Sequence, residues 1–384
     1  MSLSNAVTAK NRTVLWPAMD GVRAISIALV LGVHAAFLEV QGGIVGVDVF
    51  FVLSGFLITR ILLGEWDRHG RISLRNFYAR RALRLYPAML CAIGVSLVVI
   101  HAGRAHGLEQ LTLSGLPWVL LYVGDIARAL NQVNELGLLQ TTWSLAVEEQ
   151  FYLIWPFVCI ALVSRGYRRD RIAIVLVGLA AVAMLYRIAL LHTGSSILRI
   201  AFAPDTRCDG LLLGCALAFW LASDRGQSVA LRGRLLLHTA TLVGIVATGW
   251  TVYKGNGGPP TLGFGIPTAV CTTVLLIATI VSQPMRWLNR LLELPPLTWL
   301  GRRSYGVYML HFPIFIAVEA NGGPYLRRLL GVVLSLVAAE LSWRFWEEPW
   351  LRLKHRFNQS PPAPEGAVAL ADVGAARRGR TTGR

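Results

Sequence analysis

The chain has 384 residues, 54% of them hydrophobic and only 15% charged. A mean hydropathy of +0.54 leaves too little charge to coat a soluble globule and excludes a disordered chain, except at its end. The 37 Lys and Arg against 21 Asp and Glu give a net charge of +16. In a soluble protein that excess would point to nucleic acid; in an apolar one it fits basic loops gathered on one side of a membrane.

Apolar windows recur along the sequence, several approaching the ~20 residues a helix needs to cross a bilayer. Spans are expected near 22–40, 44–63, 85–101, 143–163, 172–191, 209–223, 235–253, 264–282, 304–320 and 328–346. The stretch 111–127 is interrupted by Pro117, Gly124 and Asp125. If it crossed, the later basic loops would be split between compartments. As a re-entrant or interfacial segment it keeps Arg68–Arg84, Arg165–Arg171, Arg225–Arg234, Arg286–Arg303 and the tail after Arg352 together. Roughly 26 Lys and Arg then face the cytoplasm against about 7 outside, as the positive-inside rule requires.

The expected fold class is therefore all-α: a polytopic membrane helical bundle of about ten transmembrane helices with one re-entrant or interfacial segment. It occupies residues 1–358 of the plasma membrane with both termini cytoplasmic, followed by a disordered tail at 359–384. Membrane lipids are expected partners and nucleic acid is not. The first apolar run is too long for a cleavable signal, and no small-residue cleavage site follows it. Cys91, Cys159, Cys208, Cys215 and Cys271 form no ligand cluster and read as packing residues.

Ionisable side chains inside such spans are costly and mark a pathway or an active site by default. Arg23 and His34 are eleven residues apart, so they share a helical face at a separation of ~16 Å. The plainer reading is a snorkelling arginine and a histidine bonded to a backbone carbonyl. On the second span Asp48, Gly55 and Thr59 make a small polar stripe where a partner helix can approach closely. Asp48 lies near the outer end, where its carboxylate can hold the His34 imidazole in one tautomer, or serve a structural interhelical hydrogen bond. Arg80, Arg81 and Arg84 suit an anionic cytosolic ligand, or anionic lipid.

The strongest window is Thr142 to Pro156. Ser144, Glu148 and Tyr152 recur at i, i+4 and i+8 on one face, and a Glu148-Glu149-Gln150 run would not persist against lipid. The adjacent carboxylates lie about 100° apart around a helix, so paired acid–base glycosidase chemistry is not favoured. Asp205, Arg207 and Asp209 at an outer mouth either bind an acceptor or pair with one another. Ser304, Tyr308 and His311 form a late polar stripe with Tyr305 beside it, and Glu347-Glu348-Pro349 reads as a helix stop. Phosphate-loop, His-Glu-x-x-His, Cys-x-x-Cys and Gly-x-Ser-x-Gly signatures are absent from the sequence, and no metal is expected.

Together these windows resemble the membrane acyltransferase-3 family of bacterial O-acyltransferases. The resemblance runs from about Ala18 to Trp350. It rests on Met19-Asp20-Gly21-Val-Arg23 with His34, on Gly46-Val-Asp48-Val-Phe-Phe-Val-Leu-Ser54-Gly55, and on Arg81-Ala-Leu-Arg84. It rests further on Trp143-Ser-Leu-Ala-Val-Glu148-Glu149-Gln150-Phe-Tyr152 and Ser304-Tyr305-Gly-Val-Tyr308-Met-Leu-His311. The resemblance implies that His34 is catalytic; Asp48 or Glu148 is expected to orient its ring. It also implies that Arg81 and Arg84 handle an acyl-CoA donor, acetyl-CoA being expected, and Arg80 and Arg23 are expected to help dock its phosphates. Ser54, Trp143, Ser144, Gln150, Tyr152, Asp205, Arg207, Asp209, Ser304, Tyr305, Tyr308 and His311 would support the site or face the acceptor.

That acceptor is expected to be a carbohydrate or surface glycan, the alternative being a macrolide-type metabolite. Some members carry a fused extracytoplasmic domain; here transfer would finish in the membrane domain or need a separate extracytoplasmic partner. A glycan or lipid transporter or flippase is the rival class, but the broken helices at matching positions of two repeats that it predicts are not seen in the sequence.

Overall fold

The computed structural model describes residues 16–35, 41–132, 135–226, 228, 233–318 and 324–357. Their regular structure is helical. In chain order the helices are α1 Pro17–His34, α2 Gly46–His69, α3 Leu74–His101, α4 Glu109–Leu120, α5 Gly124–Ala129 and α6 Thr142–Ser164. Then come α7 Arg169–His192, α8 Ile197–Phe202, α9 Pro204–Arg207, α10 Asp209–Leu221 and α11 Arg234–Lys254. The last are α12 Ile266–Ser282, α13 Arg286–Leu292, α14 Pro295–Val318, α15 Pro324–Leu341 and α16 Glu348–Leu353. Local chemistry marks several ends. Pro17 opens α1 without losing a needed donor, Ser73 accepts from the Asn76 amide to cap α3, and Gly70 closes α2 at φ 64°.

Among the described residues, eight helical segments are long and apolar enough to cross a membrane, so the chain is a polytopic membrane bundle. They correspond to eight of the ten expected spans. The exceptions are instructive. The 209–223 window yields α10, whose 13 residues reach only ~20 Å at 1.5 Å per residue. The 304–320 window is the later part of α14, which starts at Pro295 and carries Arg302 and Arg303 in its first half. The interrupted 111–127 stretch forms the short helices α4 and α5, neither long enough to span, with Tyr122 between them at φ 54°. The end of the first expected span and the expected tail at 359–384 lie outside the described residues.

Small residues set the tightest helix contacts, as they must where apolar side chains gain nothing by leaving lipid. A Cβ at Gly55 would lie 2.1 Å from the Leu211 carbonyl oxygen, so α2 and α10 meet backbone to backbone. At Gly301 the same test gives 1.8 Å to the Asp20 carbonyl oxygen, which fixes α14 against the start of α1. The small polar stripe on α2 thus faces neighbouring helices: Gly55 faces α10, and Thr59 accepts from the Trp155 indole of α6 at 2.9 Å. The consequence for function is that α1, α2, α3, α6 and α14 enclose a shared interior space.

Candidate active site

A cavity of about 240 Å³ lies between these five helices. α1 contributes Arg23, α3 contributes Arg81 and Arg84, and α2 contributes Ser54. From α6 come Ser144, Glu148 and Tyr152, the three residues whose four-residue spacing put them on one face. Ser304, Tyr305 and Tyr308 of α14 complete the polar lining, with Phe50, Phe51 and Leu53 among the apolar walls.

The polar groups are graded along this space. At one end sit the guanidiniums. The Arg81 guanidinium lies 4.5 Å from the centre of the Tyr152 ring, and Arg23 binds Asp20 at 2.9 Å. In the middle, Glu148 accepts from Ser54 Oγ at 2.8 Å and from the Tyr152 hydroxyl at 3.2 Å. The buried carboxylate is thereby satisfied on both oxygens, and the Tyr152 ring is held under Arg81. At the far end Ser144 Oγ and the Tyr308 hydroxyl are 2.7 Å apart, and Tyr308 donates to the Thr141 carbonyl at 3.0 Å.

His34 does not line the cavity. It is reached through α14: the Tyr308 and His311 ring centres are 5.7 Å apart, and those of His311 and His34 are 4.8 Å apart. The carbonyl contact of the plainer reading is present, because His34 Nδ1 lies 3.0 Å from the Val30 carbonyl oxygen. A carbonyl only accepts, so Nδ1 carries the hydrogen and Nε2 keeps its lone pair in the neutral ring. Among the described residues, that orients the imidazole as a base through a backbone carbonyl rather than a carboxylate.

Several expected roles meet a different geometry. Asp48 does not approach His34; its buried carboxylate is paired with Arg207 at 3.0 Å, and Arg207 also lies over Trp143, 5.3 Å from the ring centre. The outer cluster pairs with partners elsewhere. Asp209 binds Arg187 through two contacts of 2.8 and 3.1 Å, both side chains fully buried, and Asp205 binds Arg199 at 2.5 and 2.8 Å. Arg80 turns away from the cavity to the Phe357 carbonyl at 2.6 Å and Glu65 at 3.4 Å. Gln150 leaves the α6 stripe and donates to the Tyr122 carbonyl at 2.8 Å and Asp125 at 2.9 Å, tying α6 to α5. Glu347 is more than a helix stop: it is buried and accepts from Ser342 Oγ at 2.8 Å.

Two cations near the site had no signal in the sequence beyond being basic. Lys354 follows α16 and shares the field of Arg84, Arg81, Arg80 and Arg23. Burial and these four charges pull its ammonium down to about 8. Arg128, on α5, is buried against Phe202. Among the described residues no group of three or more His, Cys, Asp or Glu is placed to hold a metal ion.

Comparison with known proteins shows the family of the chain. A family model described as an acyltransferase domain matches residues 16–343. The peptidoglycan O-acetyltransferase OatA of Listeria monocytogenes is 34% identical over 346 residues, covering 87% of this chain and 55% of the relative. The O-acetyltransferase OatA of Staphylococcus aureus is 31% identical over 355 residues, covering 87% of this chain and 57% of the relative. The chain thus spans little more than half the length of these curated relatives, and no solved structure matches it. With a family match over most of its length and relatives above 30% identity, the chain belongs to the acyltransferase-3 family of membrane acyltransferases.

Proposed function

We propose that this chain moves an acetyl group from cytosolic acetyl-CoA to a hydroxyl of a surface glycan, peptidoglycan being the acceptor that the relatives' names suggest. The observation that carries the reading is the gradient within one cavity, from Arg23, Arg81 and Arg84 at one end to Ser144 and Tyr308 at the other. Arginine forks recognise phosphate through paired charge-assisted hydrogen bonds, so this end suits the phosphates of CoA. The positive-inside pattern supports a cytoplasmic position for that end.

The remaining steps of the proposal use the groups along this cavity. The thin pantetheine arm passes Tyr152, Glu148 and Ser54 and brings the thioester carbonyl toward Tyr308. Donor loading must open the last step past Tyr308, since His34 lies beyond the cavity wall. An acceptor hydroxyl arrives from the opposite side, and His34 Nε2 takes its proton as general base. The alkoxide oxygen bonds to the acyl carbon, the C–S bond breaks, and the thiolate of CoA recovers the proton from the imidazolium. Turned away from the Thr141 carbonyl and from each other, the hydroxyls of Tyr308 and Ser144 can donate to the oxyanion that forms between these events. Glu148 acts as a positioning residue by holding Tyr152 beneath Arg81. Asp48, Asp205, Arg207 and Asp209 act through packing of the bundle.

The test is turnover of radiolabelled acetyl-CoA by purified protein in nanodiscs, with and without a peptidoglycan fragment. Slow hydrolysis without acceptor, transfer of label with it, and loss of both in a folded His34→Ala variant are expected. Wild-type turnover in that variant would sink the assignment of the base, and no turnover by the wild type would favour a transporter or flippase.

A further inference from the structure

Arg128 is the conspicuous unused charge of this fold. It sits on α5, only 5% exposed, with its guanidinium 3.7 Å from the centre of the Phe202 ring. Its Nε and Nη1 are buried and have no hydrogen-bond partner among the described residues. Glu135 contributes an attractive field but is itself exposed and forms no hydrogen bond to Arg128 among the contacts described. Burial lowers the guanidinium's pKa only to about 10, so it stays charged at neutral pH. A buried cation with unmet donors is costly, and in an enzyme it is most simply explained by an anion that arrives with substrate.

The location says which substrate. Arg128 does not line the cavity itself but shares the field of Tyr308, which does line it, at the end remote from Arg23, Arg81 and Arg84. Phe202 packs on Trp143 with ring centres 4.9 Å apart, and Thr141, whose carbonyl holds Tyr308, has a buried and unpartnered Oγ1. Aromatic faces beside unspent donors are what a sugar ring carrying an acid group requires. The donor's phosphates are already served at the other end.

We propose that Arg128 binds a carboxylate on the acceptor glycan, with Phe202 fixing the plane of the guanidinium and Thr141 supplying a second polar contact. The inference rests on the acceptor entering at the His34 end, as proposed above. It makes the acceptor an acidic sugar and separates acceptor selection from donor binding.

Equilibrium binding without acetyl-CoA tests it. The probes are an N-acetylmuramyl disaccharide with a free lactyl carboxylate and its methyl ester, measured against wild type, Arg128→Gln and Arg128→Lys in nanodiscs. Wild type should prefer the acid over the ester by about 10- to 100-fold. Arg128→Gln should lose that preference, and Arg128→Lys should retain part of it. Equal affinities in the wild type, or a full preference in Arg128→Gln, would overturn the proposal. The wild-type ratio decides alone if the variants do not fold. Arg128 held by lipid phosphate would give no acid–ester difference, but affinities that change with the anionic lipid content of the disc; that result also overturns it. Because the measurement needs no turnover, its failure is distinguishable from failure of the acyl-transfer reading.

Discussion

His34 and His311 meet edge to face, their ring centres 4.8 Å apart, although they belong to helices at opposite ends of the chain. Each directs Nδ1 at a carbonyl of its own helix, Val30 at 3.0 Å and Tyr308 at 2.7 Å. Both therefore present a lone pair at Nε2 when neutral. His311 Nε2 is buried and has no hydrogen-bond partner among the described residues. A proton taken up by His34 thus finds a second imidazole beside it and, among the described residues, no hydrogen-bonded carboxylate.

This arrangement predicts an unequal pair. His34→Ala should abolish transfer. His311→Asn, which keeps a polar side chain, should lower kcat by about 100-fold, within the usual range for proton-transfer partners, while the KM for acetyl-CoA stays within a few-fold. Steady-state kinetics on both variants checks this, and a His311→Asn effect confined to KM would assign His311 to donor binding instead.

The sequence makes the helices and the cavity face legible where the signal is local. Ser144, Glu148 and Tyr152 line the cavity because one helix's periodicity puts them together, and the same holds for Ser304 and Tyr308. What it hides are partners chosen over long separations. Asp48 and Arg207 are 159 positions apart, and Arg80 and the Phe357 carbonyl are 277 apart. Nothing in the local pattern distinguishes an acid aimed at His34 from one aimed at Arg207. Gln150 departs from the expectation for another reason: it adjoins the cavity stripe in sequence but, at about 100° per residue, points away from it, toward Asp125 of α5.

The three adjacent arginines should separate by function. Arg81→Ala and Arg84→Ala remove cavity cations and should raise the KM for acetyl-CoA by about 10- to 100-fold, the equivalent of one or two charge-assisted hydrogen bonds. Arg80→Ala should act mainly on the attachment of the Lys354–Phe357 turn, lowering thermal stability in detergent more than donor affinity. Equal KM effects at all three positions would place Arg80 in the donor site after all.

Lys354 gives donor binding a pH dependence. With its ammonium pulled down to about 8, it is charged at pH 7 and largely neutral at pH 9, while the arginines keep their charge throughout. The basic cluster thus loses one positive charge as pH rises through 8, and affinity for a phosphate-bearing donor falls. A KM increase of about 2- to 5-fold between pH 7 and 9 is expected, the weight of one partly exposed charge. Lys354→Arg should flatten the profile at the low-pH value, and Lys354→Ala should flatten it at the high-pH value. An unchanged slope in Lys354→Ala would remove Lys354 from the donor site.

The outer acidic residues test whether geometry or motif position better predicts a role. Asp209 sits in a cluster that reads as an acceptor-binding mouth, yet both of its oxygens are taken by Arg187, and neither partner is exposed. Removing one half of such a pair leaves the other charge buried without compensation, which costs about 3–5 kcal/mol. Asp209→Asn should therefore reduce the thermal midpoint sharply and lower the yield of folded protein. The surviving folded fraction should keep the wild-type KM for both acceptor and acetyl-CoA. Asp205→Asn removes an ion pair that is half exposed, so its stability cost should stay below about 1 kcal/mol. An acceptor-binding role predicts the reverse order, with intact stability and a raised acceptor KM at Asp209. Thermal unfolding and acceptor titration on the two variants together decide between a brace and a binding site.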